Sequence, residues 1–145
     1  MRRRNKLQTC IHLVWATKNR LPLVTAEIEQ RLYRYIGAIC VDKRCSILAI
    51  GGMPDHIHLL VVLASTISLA DLVKQVKGGS SRFVSESLKP GEWFAWQPNY
   101  AAFSVSQADK DRVAHYIKNQ KQHHFDGTVW VDEEETDEED PTESA

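Results

Sequence analysis

Two apolar runs of strand length lie a turn apart near the middle of the chain, and they constrain the fold more than any other feature. Cys45 to Ile50 reads as a buried strand that Gly51 and Gly52 end. Pro54-Asp55 supply a turn, and His56 to Leu63 follows as a strand close enough to be the hairpin partner. On either side stands a strand-and-helix pair. Leu7 to Trp15 alternates, with Leu7, Thr9, Ile11, Leu13 and Trp15 on one face and Gln8, Cys10, His12 and Val14 on the other. A turn through Lys18, Asn19, Arg20 and Pro22 leads to a helix capped by Thr25 and running to about Val41, with Ile28, Leu32, Tyr35, Ile36 and Ile39 at helical spacing.

Beyond the hairpin, Ser68 and Asp71 form a capping pair. The helix they open carries Leu69, Leu72, Val73, Val76, Phe83 and Val84 as its stripe. Gly78-Gly79 should interrupt it, as a kink or a place of close backbone approach. Extended pieces at Trp93 to Trp96 and Tyr100 to Val105 flank Gln97-Pro98-Asn99. A second capping pair, Ser106 and Asp109, opens a last helix through Val113, Tyr116, Ile117 and Gln120 that stops near Gly127. The order β-α-β-β-α-β followed by a helix predicts an α+β fold: a ferredoxin-like, split-βαβ antiparallel sheet with two helices on one face and an additional C-terminal helix. One domain is expected over residues 1–131.

The formal net charge of -1 conceals a segregation. From Asp132 onward the chain has nine acidic residues and no Lys or Arg, leaving 18 basic against 10 acidic residues ahead of it, a net of +8. With no hydrophobic period, residues 132–145 read as a disordered acidic tail. A basic body favours a polyanionic partner as much as it favours plain charge balance. The tail either solvates the protein or lies across the basic surface as a mimic of that partner. No apolar run is long enough for a membrane span, and no signal-type segment follows MRRRNK, so a cytoplasmic protein is expected. Cys10, Cys40 and Cys45 lack Cys-x-x-Cys spacing and read as buried thiols.

Chemistry concentrates in two places. In Pro54-Asp55-His56-Ile57-His58-Leu59 the two histidines are two apart on a strand and project from one face, so they can share a divalent metal or simply be half-buried and hydrogen-bonded. Ile57, Leu59, Val61 and Leu63 point the other way, under the helices, while Leu60 and Val62 share the histidine face and need cover. In the last helix Tyr116 and Gln120 are four apart and border the apolar stripe of Val113 and Ile117. Gln120 can supply a ligand oxygen, and Tyr116 can be a nucleophile or an ordinary core-edge residue. A phenol with a pKa of ~10 is barely ionised at neutral pH. It therefore needs help such as a metal bound to the phosphate it attacks.

The His-hydrophobic-His strand followed by a Tyr-x-x-x-Gln helix resembles the HUH single-tyrosine transposases of bacterial insertion sequences, whose kin include the transposases associated with repeated extragenic palindromes. His12-Leu13-Val14-Trp15-Ala16-Thr17-Lys18-Asn19-Arg20 is similar to that family's first strand and turn. Gly52-Met53-Pro54-Asp55-His56-Ile57-His58, Lys77-Gly78-Gly79-Ser80-Ser81 and Trp96-Gln97-Pro98-Asn99-Tyr100 match in the same order, so the resemblance spans roughly residues 5 to 130. It implies metal ligands at His56, His58 and Gln120, a nucleophile at Tyr116, and Mg²⁺ or Mn²⁺ as the metal. It also implies cleavage and rejoining of single-stranded DNA, often hairpin-bearing, through a 5′-phosphotyrosyl intermediate with a free 3′-hydroxyl. A homodimer is implied too, in which the tyrosine helix can complete the partner's histidine site. No organic cofactor is expected. The acidic tail departs from the family pattern, and Asn99 replaces a glycine, mildly because Asn also tolerates the left-handed region.

The remaining polar residues carry weaker signals. Tyr100 is a rival nucleophile without a Gln four residues on. His115, His123 and His124 could bind metal but read better as solvent-facing or phosphate-contacting groups. Lys18, Arg20, Lys74, Lys77, Ser80, Arg82, Lys118 and Lys121 are candidate DNA contacts. Two rival functions remain: an idle nucleic-acid-binding module on the same fold, and a zinc hydrolase built on His56, His58 and another histidine.

Overall fold

A computed structural model of the chain describes residues 6–134. The four strands are β1 (Cys10–Ala16), β2 (Ser46–Met53), β3 (His56–Val62) and β4 (Ala101–Val105). All pair antiparallel in the order β2-β3-β1-β4. Helices α1 (Ala26–Asp42) and α2 (Leu69–Phe83) fill the two crossovers, and α3 (Lys110–Lys118), α4 (Gln120–Asp126) and the short α5 (Val131–Glu134) follow the sheet. The fold is α+β with the split-βαβ order that the sequence predicts. Among the described residues no helix is long and apolar enough to cross a membrane.

Side-chain alternation assigns the two faces. Leu13, Trp15, Ile57, Leu59 and Val61 join Ile28, Leu32 and Ile36 of α1 and Leu72, Val73 and Val76 of α2 in the main core. The other face has a smaller core in which Cys10, Ala49 and Leu60 meet Val113, Tyr116 and Ile117 of α3. The cover that Leu60 needs therefore comes from the same chain. Burying each such aliphatic side chain is worth about 1.5–3 kcal/mol, enough for this cluster to fix a nine-residue helix.

Several boundaries differ from expectation. β2 does not end at the glycines; it continues through Gly51 and Gly52 to Met53, and Pro54-Asp55 alone make the turn. The glycines are there because other backbone passes too close for a side chain. A Cβ on Gly51 would lie 2.1 Å from the Ile117 carbonyl oxygen at the end of α3, and one on Gly52 would lie 2.2 Å from the His56 carbonyl oxygen. Gly78-Gly79 does not interrupt α2. Gly79 instead brings α2 against α1, where a Cβ would lie 3.0 Å from Ile39 Cδ1. Tyr35 stacks on Phe83 beside this contact. Trp93 to Trp96 forms no strand and contributes one bridge, Trp96 to Thr17. The last helix breaks at Asn119, whose φ of -111° and ψ of 30° separate α3 from α4. The Ser68–Asp71 cap and the left-handed Gly127 stop stand as expected.

The two kinds of glycine predict opposite outcomes. Gly51→Ala drives a Cβ into fixed backbone and should cost about 1–3 kcal/mol or more. Gly78→Ala, with nothing within 4 Å of the added carbon, should add roughly 0.5–1 kcal/mol through helix propensity. Urea denaturation of both variants measures the pair.

Candidate active site

The β1–β3 register places His58 opposite Val14 and His56 opposite Ala16, both on the face that α3 covers. Both histidines are almost fully buried. Each has its Nδ1 engaged on the outer side of the cluster: His56 Nδ1 lies 2.7 Å from Asp55 Oδ1, and His58 Nδ1 lies 2.8 Å from His12 Nε2. Their Nε2 atoms are thereby turned toward one shared space.

Gln120 and His124 of α4 reach that space from the other side. Gln120 Oε1 accepts from His56 Nε2 at 3.2 Å and lies 3.2 Å from His124 Nε2. Tyr116, on α3, presents its ring edge-on to His58 at 5.9 Å between centroids. The histidine strand, Tyr116 and Gln120 therefore meet within one chain. The helix break at Asn119 falls between Tyr116 and Gln120, so their alignment comes from the kink as well as from helical spacing. His124 points inward, contrary to the solvent-facing position read from sequence. Its place one turn after Gln120, itself one turn after Tyr116, was the available signal. His115 is exposed, and His123 lies against the Tyr116 ring and bonds Thr128 Oγ1.

Sequence reasoning missed Glu134. The first three residues of the acidic segment, expected to be structureless, belong to α5; residues 135–145 lie outside the described part. Glu134 turns back into the site. Its carboxylate lies 2.7 Å from His58 Nε2, 3.4 Å from His56 Nε2 and 3.2 Å from His124 Nε2, and it accepts the Tyr116 hydroxyl at 2.7 Å. Ligand atoms of His56, His124 and Glu134 all fall within 4.8 Å of one another, a spacing that could hold a metal ion. The segment leading to Glu134 is anchored as well. Trp130 stacks on Tyr116 with centroids 3.8 Å apart and donates its backbone N–H to the Tyr116 oxygen. Arg112 lies over the Trp130 ring, and Arg20 Nη2 donates to the Glu134 carbonyl.

This packing sets the protonation of the cluster. Burial works against charge on Glu134, yet hydrogen bonds from His56 and His58 hold its carboxyl far below the carboxylate range. Burial also opposes charge on His56, but Asp55 and Glu134 outweigh it and raise the imidazole to about 9. For His58 burial prevails and the pKa falls. His12 is lowered to about 3 by burial, with His58 adding to the effect. Burial, reinforced by the Glu134 carboxylate, pushes Tyr116 up to about 12 against the hydrogen bonds of Trp130 and Gln120.

The candidate DNA contacts divide by position. Arg20 borders the site, with Asp55 Oδ2 at 3.7 Å, and Lys18 shares its turn. Lys118 and Lys121 line an open groove of about 800 Å³ between α1 and α4 that reaches Gly51, Gly52 and Gln120. Lys121 there pairs with Glu29. Lys74, Lys77, Ser80 and Arg82 are on α2, across the sheet from the histidines. Lys77 Nζ donates to the carbonyls of Gln97, Pro98 and Asn99, and burial lowers it to about 8. Ser80 is fully buried and accepts from Trp96 Nε1. Both brace the loop before β4 in this structure, and with them the family-like Lys77–Ser81 segment holds that loop. Tyr100 lies beside Lys74 and Lys77, away from the histidines.

The sequence profile of IS200-like transposases matches residues 5–120. The chain belongs to this family of HUH single-tyrosine transposases. This transposase is 31% identical over 114 residues to the ISDra2 transposase TnpA of Deinococcus radiodurans, a match covering 75% of this chain and 81% of that one. A solved structure assigned as a transposase of Deinococcus radiodurans superposes with a TM-score of 0.64 at 29% identity, covering 83% of this chain and 97% of the other. A REP-associated tyrosine transposase, solved bound to a REP hairpin, shares the fold with a TM-score of 0.62 at 18% identity, over 89% of this chain and 74% of that one.

The Glu134 contact makes the tyrosine titration of the transposase diagnostic. Glu134→Gln removes the negative charge at the phenol, so the Tyr116 pKa should move down from about 12 toward the ordinary value of ~10. NMR of ¹³C-labelled tyrosine across alkaline pH follows this directly; an unmoved Tyr116 titration would place Glu134 elsewhere in solution.

Proposed function

We propose that this transposase cleaves and rejoins single-stranded DNA through a covalent 5′-phosphotyrosine on Tyr116, with His56, His58 and Gln120 as the protein ligands of a divalent metal. The observation that supports this reading best is convergence. Two Nε2 atoms, one amide oxygen and one phenol from elements far apart in sequence share a single buried space. Both outer Nδ1 atoms are already engaged, so coordination would fall to the Nε2 atoms once the protons they direct at Gln120 and Glu134 are given up. The donor set of two imidazoles and a neutral amide oxygen fits a divalent ion, with Mg²⁺ or Mn²⁺ preferred for a phosphate substrate. Bound there, such an ion would polarise the phosphate and stabilise charge on the leaving 3′-oxygen.

The reaction assigned to Tyr116 is an attack by its oxygen on phosphorus. The new bond links the phenol to the 5′-phosphate, and the bond to the 3′-oxygen breaks, leaving a 3′-hydroxyl. Attack by a 3′-hydroxyl on the phosphotyrosine reverses the step and seals a strand without loss of bond energy to water. Arg20, Lys18, Lys118 and Lys121 are the basic groups best placed to hold the approaching backbone. Tyr116 and Gln120 lie beside the histidines of their own chain, which supports a site assembled in cis within any homodimer.

In the closed arrangement Tyr116 is the wrong species for attack. Its hydroxyl keeps its proton and donates it to Glu134 in a hydrogen bond, its pKa is raised, and Trp130 covers its ring. A carboxylate there also takes the place a phosphate would need. The C-terminal segment thus acts in this reading as an intramolecular substitute for DNA, and strand entry requires its displacement.

Incubation with labelled hairpin-bearing single strands and Mg²⁺ or Mn²⁺ tests the proposal. The wild-type chain should give a covalent protein–DNA band that survives sodium dodecyl sulfate. Tyr116→Phe should abolish the band and leave strand affinity within about threefold, because only one hydroxyl is removed. Truncation after Gly127 should raise adduct yield. Cleavage unaffected by Tyr116→Phe would favour a zinc-type hydrolase instead.

A further inference from the structure

His12 is buried, has no assigned role and does not face the space that Gln120 and Tyr116 share. Its ring stacks on His58 with centroids 5.0 Å apart and an interplanar angle of 29°, and Phe103 flanks it at 5.8 Å. The β1–β3 register makes the two histidines diagonal neighbours on one face: His12 is opposite Leu60, and His58 is opposite Val14. His12 Nε2 is 2.8 Å from His58 Nδ1, and among the described contacts it is the group that meets that nitrogen.

We infer that His12 is the positioning residue of the metal site, an outer imidazole that fixes the ring of His58 and changes hydrogen-bond direction with it when a cation replaces Glu134. This rests on the metal assignment proposed above. A neutral imidazole has one N–H and one lone pair. While His58 Nε2–H donates to the Glu134 carboxylate at 2.7 Å, His58 Nδ1 has only a lone pair, so His12 Nε2–H must be the donor. Coordination through His58 Nε2 requires the lone pair there and the proton on Nδ1. His58 then donates to His12 Nε2, and the His12 proton resides on its own Nδ1. Each ring gives up one N–H and gains the other, so both stay neutral and the pair releases no net proton. A residue that can only accept or only donate would leave a buried nitrogen unpaired in one of the two states. A second imidazole serves both, as would a glutamine amide, which can turn to present oxygen or nitrogen.

Two measurements on the full chain test this. In ¹⁵N-labelled wild type, Mg²⁺ titration should convert His58 from the Nε2–H to the Nδ1–H tautomer and convert His12 in step, although His12 is not one of the proposed ligands. This readout needs no variant. In calorimetric titration with Mn²⁺, His12→Leu should weaken affinity by about 10- to 100-fold, while His12→Gln should stay within about threefold of wild type. Thermal melts of the metal-free variants separate this from lost folding. If His12→Leu does not fold, the wild-type tautomer exchange alone decides. A His12 that keeps its tautomer as metal loads, or a folded His12→Leu with wild-type affinity, overturns the inference alone. A wild-type chain that binds no divalent cation overturns the metal assignment and this inference with it.

Discussion

The site depends on how closely α3 approaches the sheet at Gly51. The Ile117 carbonyl sits where a side chain on residue 51 would begin, and Gly51 is the cross-strand partner of His58. One bare backbone position therefore sets the height of the tyrosine helix above the histidine strand. With Val113 and Ile117 packed on Leu60, the helix can neither lift nor roll without exposing apolar surface. Tyr116 and Gln120 are held over the histidines by this contact more than by any hydrogen bond of their own.

The closed site is a concentrated electrostatic arrangement. A carboxylate, three imidazoles and a phenol share a largely buried volume, in which a single uncompensated charge would be costly. Glu134 compensates by taking bonds from His58 and Tyr116 and standing within ion-pair distance of His56 and His124. The same features that make it a good partner for the histidines would, in the proposed mechanism, make it a competitor for a phosphate. In the proposed mechanism, basic groups at the rim and the inward-turned Glu134 would set one balance, between the chain's own carboxylate and an external polyanion.

Much of this was legible in the sequence because it follows from period and turn chemistry. Alternation placed His56 and His58 together, and the Ser68–Asp71 capping pair marked the start of α2. The order of the motifs was enough to name the resemblance, and the fold class followed from element order. What escaped was tertiary. Gly51 and Gly52 look like a strand end because glycine usually punctuates, and only the approach of α3 shows why they sit inside a strand. Lys77 and Ser80 look like surface groups until the loop before β4 folds onto them. His124 reads as solvent-facing from sequence, although its spacing from Gln120 points inward. Glu134 was hidden in a run of like residues, where composition argues for solvation and gives no reason to single out one carboxylate.

The central claim is the identity of the nucleophile. Its most direct test is peptide mapping of the protein–DNA adduct after proteolysis and nuclease trimming, by tandem mass spectrometry. The account predicts a nucleotide joined through its 5′-phosphate to Tyr116, with the released strand ending in a 3′-hydroxyl. A linkage to Tyr100 or any other residue, or cleavage that leaves no nucleotide on the protein, would contradict it.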